Sequence, residues 1–310
     1  MSPSDPTAAS AAQRTAARRQ PLTLICCSHK TGTVLFHSVL NRLGALLDLR
    51  WDTVWGEVGA IHPGLHAVLV GHSLFGDGFR LEPHHRIIRI VRDPRDIWVS
   101  GYLYHRRCEE PWCVNREPHP GGPIGFPQVD HLMEPRPEAW KEAYLQRLGG
   151  RSYQDQLLDR DQESGLAYEL DGYTALTFEA MRAWRFAGPQ VLTVKLEAIT
   201  ANFDATMSVI FRHMGFSRRA RAIALRAAAY EDVGRMPDHV LEQNAHIHSR
   251  QLSKWRDVLT AAQLQSFETR YGDLVLGLGY QLATRLPMPR PLRPPPGEGL
   301  SSAPAPPPRP

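Results

Sequence analysis

The chain has 310 residues, 42% of them apolar and 22% charged, with a formal net charge of +4. That is enough apolar material for one large domain or two ordinary ones, and it excludes fibrous and wholly disordered classes. The charge excess sits at the ends. Residues 1–20 carry Arg14, Arg18 and Arg19 against Asp5, residues 286–310 carry Arg290, Arg293 and Arg309 against Glu298, and the body between them is formally neutral. A folded surface acting as an electrostatic track for nucleic acid is therefore not expected.

Residues 1–20 lack the apolar centre of a secretory signal and read as a disordered leader with weak transit-peptide character. In residues 286–310 eleven positions are proline, which reads as a disordered tail. No stretch approaches the ~18 apolar residues of a membrane span. Cys26 and Cys27 are adjacent in an apolar run and read as buried thiols of a strand. Cys108 and Cys113, with His105 and His119 nearby, would need further ligands to hold zinc. The cysteines form no disulfide framework, so a reducing compartment, the cytoplasm, is expected.

Between the tails the apolar period alternates. Leu22–Cys27 is a run of strand length. In Thr31–Leu47 the residues Val34, Leu35, Val39, Leu40, Leu43, Leu46 and Leu47 recur at helical spacing. Ala67–Val70 and Arg86–Val91 read as strands. Asp93-Pro94, followed by Asp96, reads as an N-cap, a first-turn proline and a first-turn acid, opening a helix to about Tyr104. Gln190–Lys195 reads as another strand, with a helix near Phe203–Met214. Such alternation predicts one α/β domain over 21–285: a mostly parallel, P-loop-like sheet with helices on both faces, and ligands at the C-terminal ends of its strands. The proline-rich segment 106–136 breaks the pattern and reads as an irregular lid or acceptor-site loop. A helical stretch over about 139–186 follows it.

The first strand runs into Ser28-His29-Lys30-Thr31-Gly32-Thr33-Val34. A helix N-terminus presents free N–H groups and a partial positive charge. Gly32 permits close approach of the backbone, Thr31 and Thr33 add hydroxyls, and Lys30 adds a full charge. Together these parts make an anion cradle. It is not the ATP loop G-x-x-x-x-G-K-[ST], because no glycine stands ahead of Lys30. A second anchor lies in Arg92-Asp93-Pro94-Arg95-Asp96, with Ser100 two turns into the next helix, where guanidinium and hydroxyl suit one phosphate.

These two anchors together resemble those of the sulfotransferases that use 3′-phosphoadenosine 5′-phosphosulfate (PAPS). Val194-Lys195-Leu196-Glu197-Ala198-Ile199, Asp204-Ala205-Thr206, Ile210-Phe211 and Lys254-Trp255-Arg256-Asp257-Val258-Leu259-Thr260 are similar to further family blocks, and Phe267-Glu268 through Gly279-Tyr280 to its closing helix. The resemblance covers about 22–282. It implies transfer of a sulfuryl group from PAPS to a hydroxyl or amine of a small-molecule or carbohydrate acceptor, without a metal. The cradle Lys30, Thr31, Gly32, Thr33 and Val34 would hold the 5′-phosphosulfate, and Arg92, Ser100 and Arg250 the 3′-phosphate. Lys30 would stabilise the leaving phosphate, and His72 would be the general base. His29, His105 and Glu82 are the alternative bases. Trp112, Phe126, Trp140 and Tyr144 are candidates to line the acceptor site.

This chain departs from the family at several positions. Leu35 and Phe36 stand where an adenine-stacking tryptophan is common, Leu196 replaces a tyrosine, and His248-Ser249-Arg250-Gln251 replaces an Arg-x-Gly element. The dimerisation signature is degraded at Arg256, Thr260, Ala261 and Gln265, so the family dimer is not carried over. Two other readings stay open: a P-loop kinase of small molecules, and a decayed PAP-binding scaffold.

Overall fold

The computed structural model describes residues 21–116, 131–243 and 250–285. The leader, the tail, Phe126, His119 and His248-Ser249 lie outside the described residues. The chain opens with β1 (Thr23–Cys26), α1 (Thr33–Leu47), β2 (Trp51–Val54), β3 (Ala67–Val70) and β4 (Arg86–Val91). Helix α2 (Pro94–His105) and the short α3 (Pro111–Val114) follow. The stretch read as helical over 139–186 is four helices: α4 (Glu138–Leu148), α5 (Tyr153–Leu158), α6 (Gln162–Asp171) and α7 (Tyr173–Arg182). Then come β5 (Val191–Lys195), α8 (Leu196–Ala201), α9 (Phe203–His213), α10 (Arg218–Ala228), α11 (Asp238–Glu242), α12 (Trp255–Val258) and α13 (Ala261–Gly277). Among the described residues no helix is long and apolar enough to cross a membrane.

All five strands are parallel, in the order β2-β3-β1-β4-β5. The α/β sheet expected from the alternation is the observed one. The strands β1 and β3 are buried at every position, as a parallel sheet covered on both faces requires. Alternate residues sort to the two faces. Ile25, Cys27, Leu69, Ile88 and Ile90 pack with α1, α9 and α10, while Leu24, Cys26, Val68, Val70 and Ile87 face Val58 and an aromatic set around Phe75 and Trp184. Each such fully buried aliphatic side chain contributes ~1.5–3 kcal/mol. A third cluster joins Val91 to α2, the helices after it, and α13.

Three details depart from the sequence reading. Strand β2 was not expected: at a sheet edge, three of its four residues are half-buried and Asp52 is exposed, too short and too mixed to show a period. Helix α1 begins at Thr33 and buries Phe36, Val39, Leu40 and Leu43, while Val34 and Leu46 are exposed, so its apolar face is turned from the expected one. Helix α10 was not read at all, because its buried residues are the small Ala224, Ala227 and Ala228.

Consecutive topology positions the site. After β1 the chain crosses to β2 and returns through β3; it then passes β1 to form β4 on the other side. Helices α1 and α2 leave the adjacent strands β1 and β4 and join different clusters on opposite faces. In an open parallel sheet the crevice at such a switch point is where ligands bind.

Candidate functional site

Strand β1 ends in a turn whose shape is fixed internally. The Ser28 N–H donates to Thr31 Oγ1 at 2.8 Å, and that hydroxyl donates back to the Ser28 carbonyl at 2.9 Å. The Thr33 hydroxyl reaches the Cys27 thiol, which burial pushes up to about 12. Both hydroxyls expected to face an anion are thus engaged by the turn itself, and the turn's offer to a ligand is its amides and Lys30. Gly32, at φ 112°, is the N-cap of α1; no side chain caps that helix and no acid stands in its first turn. Its amide end therefore keeps its positive character. Lys30 itself has φ 60°, a left-handed conformation that costs a non-glycine residue ~1–2 kcal/mol.

The second anchor folds against the first. Asp93 caps α2, accepting the Arg95 N–H at 3.0 Å, as the Asp-Pro pair suggested. Arg92 sits at the C-terminal end of β4 and donates from Nη1 to the Lys30 carbonyl at 3.0 Å. Arg92 and Ser100 are both buried. The turn between them is braced from distant chain segments. Glu197 accepts the Asp93 N–H at 2.9 Å and the Tyr280 hydroxyl at 2.8 Å. Arg95 clamps Asp93 at 2.7 Å, Glu268 at 3.1 Å and the Gln281 carbonyl at 2.9 Å, and stacks on Trp255.

Two further cations join this cluster, and the sequence reading missed both. Asp96 accepts the backbone N–H groups of Ser253 at 2.9 Å and Trp255 at 3.1 Å. That carboxylate presents the intervening Lys254, which is buried, beside Arg92. Arg107 follows the end of α2. Burial, and then the Arg92 charge, lower Lys30 to about 7; Glu110 opposes them, and Arg107 and Lys254 add smaller downward pushes. Lys254 is lowered to about 8 by burial and by Arg92 and Arg107, with Asp96 opposing. Lys30, Arg92, Arg107 and Lys254 thus lie near enough to repel one another beyond the C-terminal ends of β1 and β4, a repulsion that a bound anion would relieve. Nothing local in the sequence marks Lys254 as one of them; only the Asp96 clamp brings it in.

Arg250 is directed elsewhere. Its guanidinium pairs with Asp238, and its Nε donates to the Val233 carbonyl at 3.1 Å.

The candidate-base histidines divide into two groups. His72 follows β3 and is buried. The next residue, Ser73, donates to the Cys27 carbonyl at 2.7 Å and ties this segment to the end of β1. The His72 ring lies 6.1 Å from Trp55 and 6.2 Å from His131, so the end of the irregular segment reaches it. Gly71 leaves room for Trp55; a Cβ there would run into the indole. His29, beside Lys30, stacks on His105 at 4.9 Å. His105 is fully buried, and its Nδ1 meets Glu169 Oε2 at 2.8 Å. Glu169 also accepts from Tyr153 at 3.0 Å and Thr174 at 2.7 Å. Lys30 Nζ lies 3.7 Å from the Tyr104 ring centroid. Trp112 stacks on Tyr173 at 4.5 Å beside His105, and Trp140 on Tyr144 at 5.5 Å in the helical core. Glu82 lies at the opposite edge of the sheet, before β4, which removes it as a candidate base. Among the described residues no group of three or more His, Cys, Asp or Glu is arranged to hold a metal.

No family model matches this chain, and no curated protein matches it. The solved structures that are similar in outline include two bound to PAP. Mouse sulfotransferase SULT7A1 complexed with PAP shares 16% identity, covering 84% of this chain and 85% of that one at a TM-score of 0.41. Retinol dehydratase in complex with androsterone and the inactive cofactor PAP shares 11% identity, covering 86% of this chain and 84% of that one at a TM-score of 0.47.

Proposed function

We propose that the chain is a PAPS-dependent sulfotransferase acting on a hydroxyl or amine of a small-molecule or carbohydrate acceptor. The observation that carries this reading is the joining of two phosphate anchors: Arg92 hydrogen-bonds the Lys30 carbonyl, and Lys254 and Arg107 lie within reach of the same charges. A bisphosphorylated nucleotide needs cations at two places on one crevice.

In this reading Lys30 and the first-turn amides of Thr33 and Val34 hold the 5′-phosphosulfate, while Arg92, Ser100 and Lys254 hold the 3′-phosphate. PAPS supplies the sulfuryl group and the phosphate leaving group. As the acceptor oxygen or nitrogen forms its bond to sulfur, the sulfur–oxygen bond to the 5′-phosphate breaks, and charge grows on that oxygen. Lys30 and the amides are placed to stabilise it. His72 takes the acceptor proton as general base. The acceptor enters from the side of His131, close to His72. Four free buried thiols suit a reducing compartment, for which we take the cytoplasm.

Binding and transfer test this separately. PAP without magnesium should raise the melting temperature, and ATP with magnesium should not. Radiolabelled PAPS with an acceptor panel should give labelled product that Lys30→Ala abolishes. If ATP–Mg stabilises the protein and PAP does not, the kinase reading replaces this one. PAP binding without transfer to any acceptor favours the scaffold reading.

A further inference from the structure

The opposite, N-terminal edge of the sheet carries a cleft of about 1230 Å3. Residues that immediately precede four strands line it: Leu22 before β1, Arg50 before β2, His66 before β3 and His85 before β4. Strands of four to six residues at ~3.3 Å each put this cleft roughly 13–20 Å from the Lys30 cluster. Ile61, Leu65 and Phe79 give it apolar walls.

Hydrogen-bond donors converge there. His66 Nδ1 accepts the backbone N–H of Arg50 at 3.0 Å. A backbone amide can only donate, so a neutral His66 carries its proton on Nε2. That nitrogen lies 3.4 Å from Arg50 Nη2, and a guanidinium also can only donate. The two N–H groups face each other and neither can accept from the other. Burial and then the Arg50 charge keep the His66 pKa below its ordinary value, against a weaker pull from Asp48. The neutral tautomer therefore persists at pH 7. His85 repeats the pattern: Nδ1 accepts the Glu82 N–H at 3.3 Å, which leaves Nε2 as a donor. Burial and neighbouring His84 lower its pKa, with Glu82 opposing.

We propose that this cleft is a second ligand site, which takes an organic oxyanion with its single carboxylate, phosphate or sulfate head between Arg50 and His66 and its apolar body against Ile61, Leu65 and Phe79. An oxygen of such a head accepts both stranded protons at once. Glu57 and Glu82 line the same cleft, which disfavours a polyanion such as a nucleotide. The site is separate from the proposed donor site and does not depend on it.

Benzoate, phenyl phosphate, phenyl sulfate and neutral phenol serve as probes, titrated into the full chain with and without PAP. The imidazole nitrogen signals of His66 and His85 report binding at the cleft itself. At least one of the three anions should shift the His66 Nε2 signal saturably, at least tenfold tighter than phenol and equally with PAP present; which of them does so identifies the head group. Arg50→Gln should weaken that binding at least tenfold while the melting temperature holds, and His66→Phe should weaken it likewise. The proposal is overturned if no anion moves the His66 signal at millimolar concentration, if phenol binds as tightly as the anions, or if Arg50→Gln binds undiminished.

Discussion

Arg92 donates from Nη1 to the backbone carbonyl of Lys30 at 3.0 Å. One guanidinium therefore supports the conformation of the Lys30 turn, and in the proposed function its remaining N–H groups and its charge serve the 3′-phosphate. The left-handed Lys30 is held in place by this bond and by the Ser28–Thr31 hydrogen bonds.

Replacing Arg92 with alanine should weaken PAP by roughly 1.5–3 kcal/mol, about ten- to a hundredfold, since hydrogen bonds to a charged group are lost. Adenosine 5′-phosphosulfate lacks the 3′-phosphate and should lose much less. Calorimetric titration with both ligands reads the difference. Equal losses would assign Arg92 to loop support alone.

Donor binding should take up protons. Lys30 at about 7 and Lys254 at about 8 are partly neutral at pH 8, and a bound polyanion favours their charged forms. PAP affinity should therefore fall as pH rises from 6.5 to 9, and titrations at pH 8 in buffers of different ionisation heat should show net uptake. Without ligand the sign is reversed. The unfolded chain binds more protons at these lysines than the folded one, so their burial costs stability below their folded pKa values, a cost that vanishes towards pH 10.5. Lys30→Met should accordingly stabilise the free protein at pH 6 and much less at pH 10.

Lys254→Met should weaken PAP about tenfold, the effect of losing one charge-assisted contact. Arg250→Ala should do less, because its guanidinium is paired with Asp238. Direct binding measurements rank the two; the opposite order would return Arg250 to the 3′-phosphate.

In the proposed transfer reaction the His72→Ala variant should turn over ~10²–10⁴-fold more slowly, with PAP affinity nearly intact, as expected for loss of a general base. An unchanged rate on a responsive acceptor would pass the role to His29, which stands beside Lys30.

Glu169 is fully buried and accepts from His105, Tyr153 and Thr174. Removing one partner of such a network strands the others, so Glu169→Ala should cost ~3–5 kcal/mol. Urea unfolding gives the value. Gly101→Ala should also destabilise, because its Cβ would come within 2.8 Å of a Glu169 oxygen.

The parallel α/β architecture and the local structure around Lys30 and Arg92 were legible in the sequence, because these are local signals. Unbroken apolar runs mark buried strands, Asp93-Pro94 marks a helix start, and Lys30-Thr31-Gly32 marks a turn into a helix. The sequence reading missed β2, whose four mixed residues are too few to show a period, and α10, whose buried face is built of alanines rather than large apolar side chains. Tertiary structure alone decided what the side chains do. Thr31 and Thr33 look like ligand hydroxyls in the sequence and are used by the turn. Arg250 and Lys254 are equivalent cations four positions apart, and only the hydrogen bonds of Asp96 and the pairing with Asp238 separate them. The histidine-lined cleft joins residues that precede four different strands, and no spacing along the chain encodes it. Periodicity reports burial within one element; the charge and donor balance of a site depends on which elements meet.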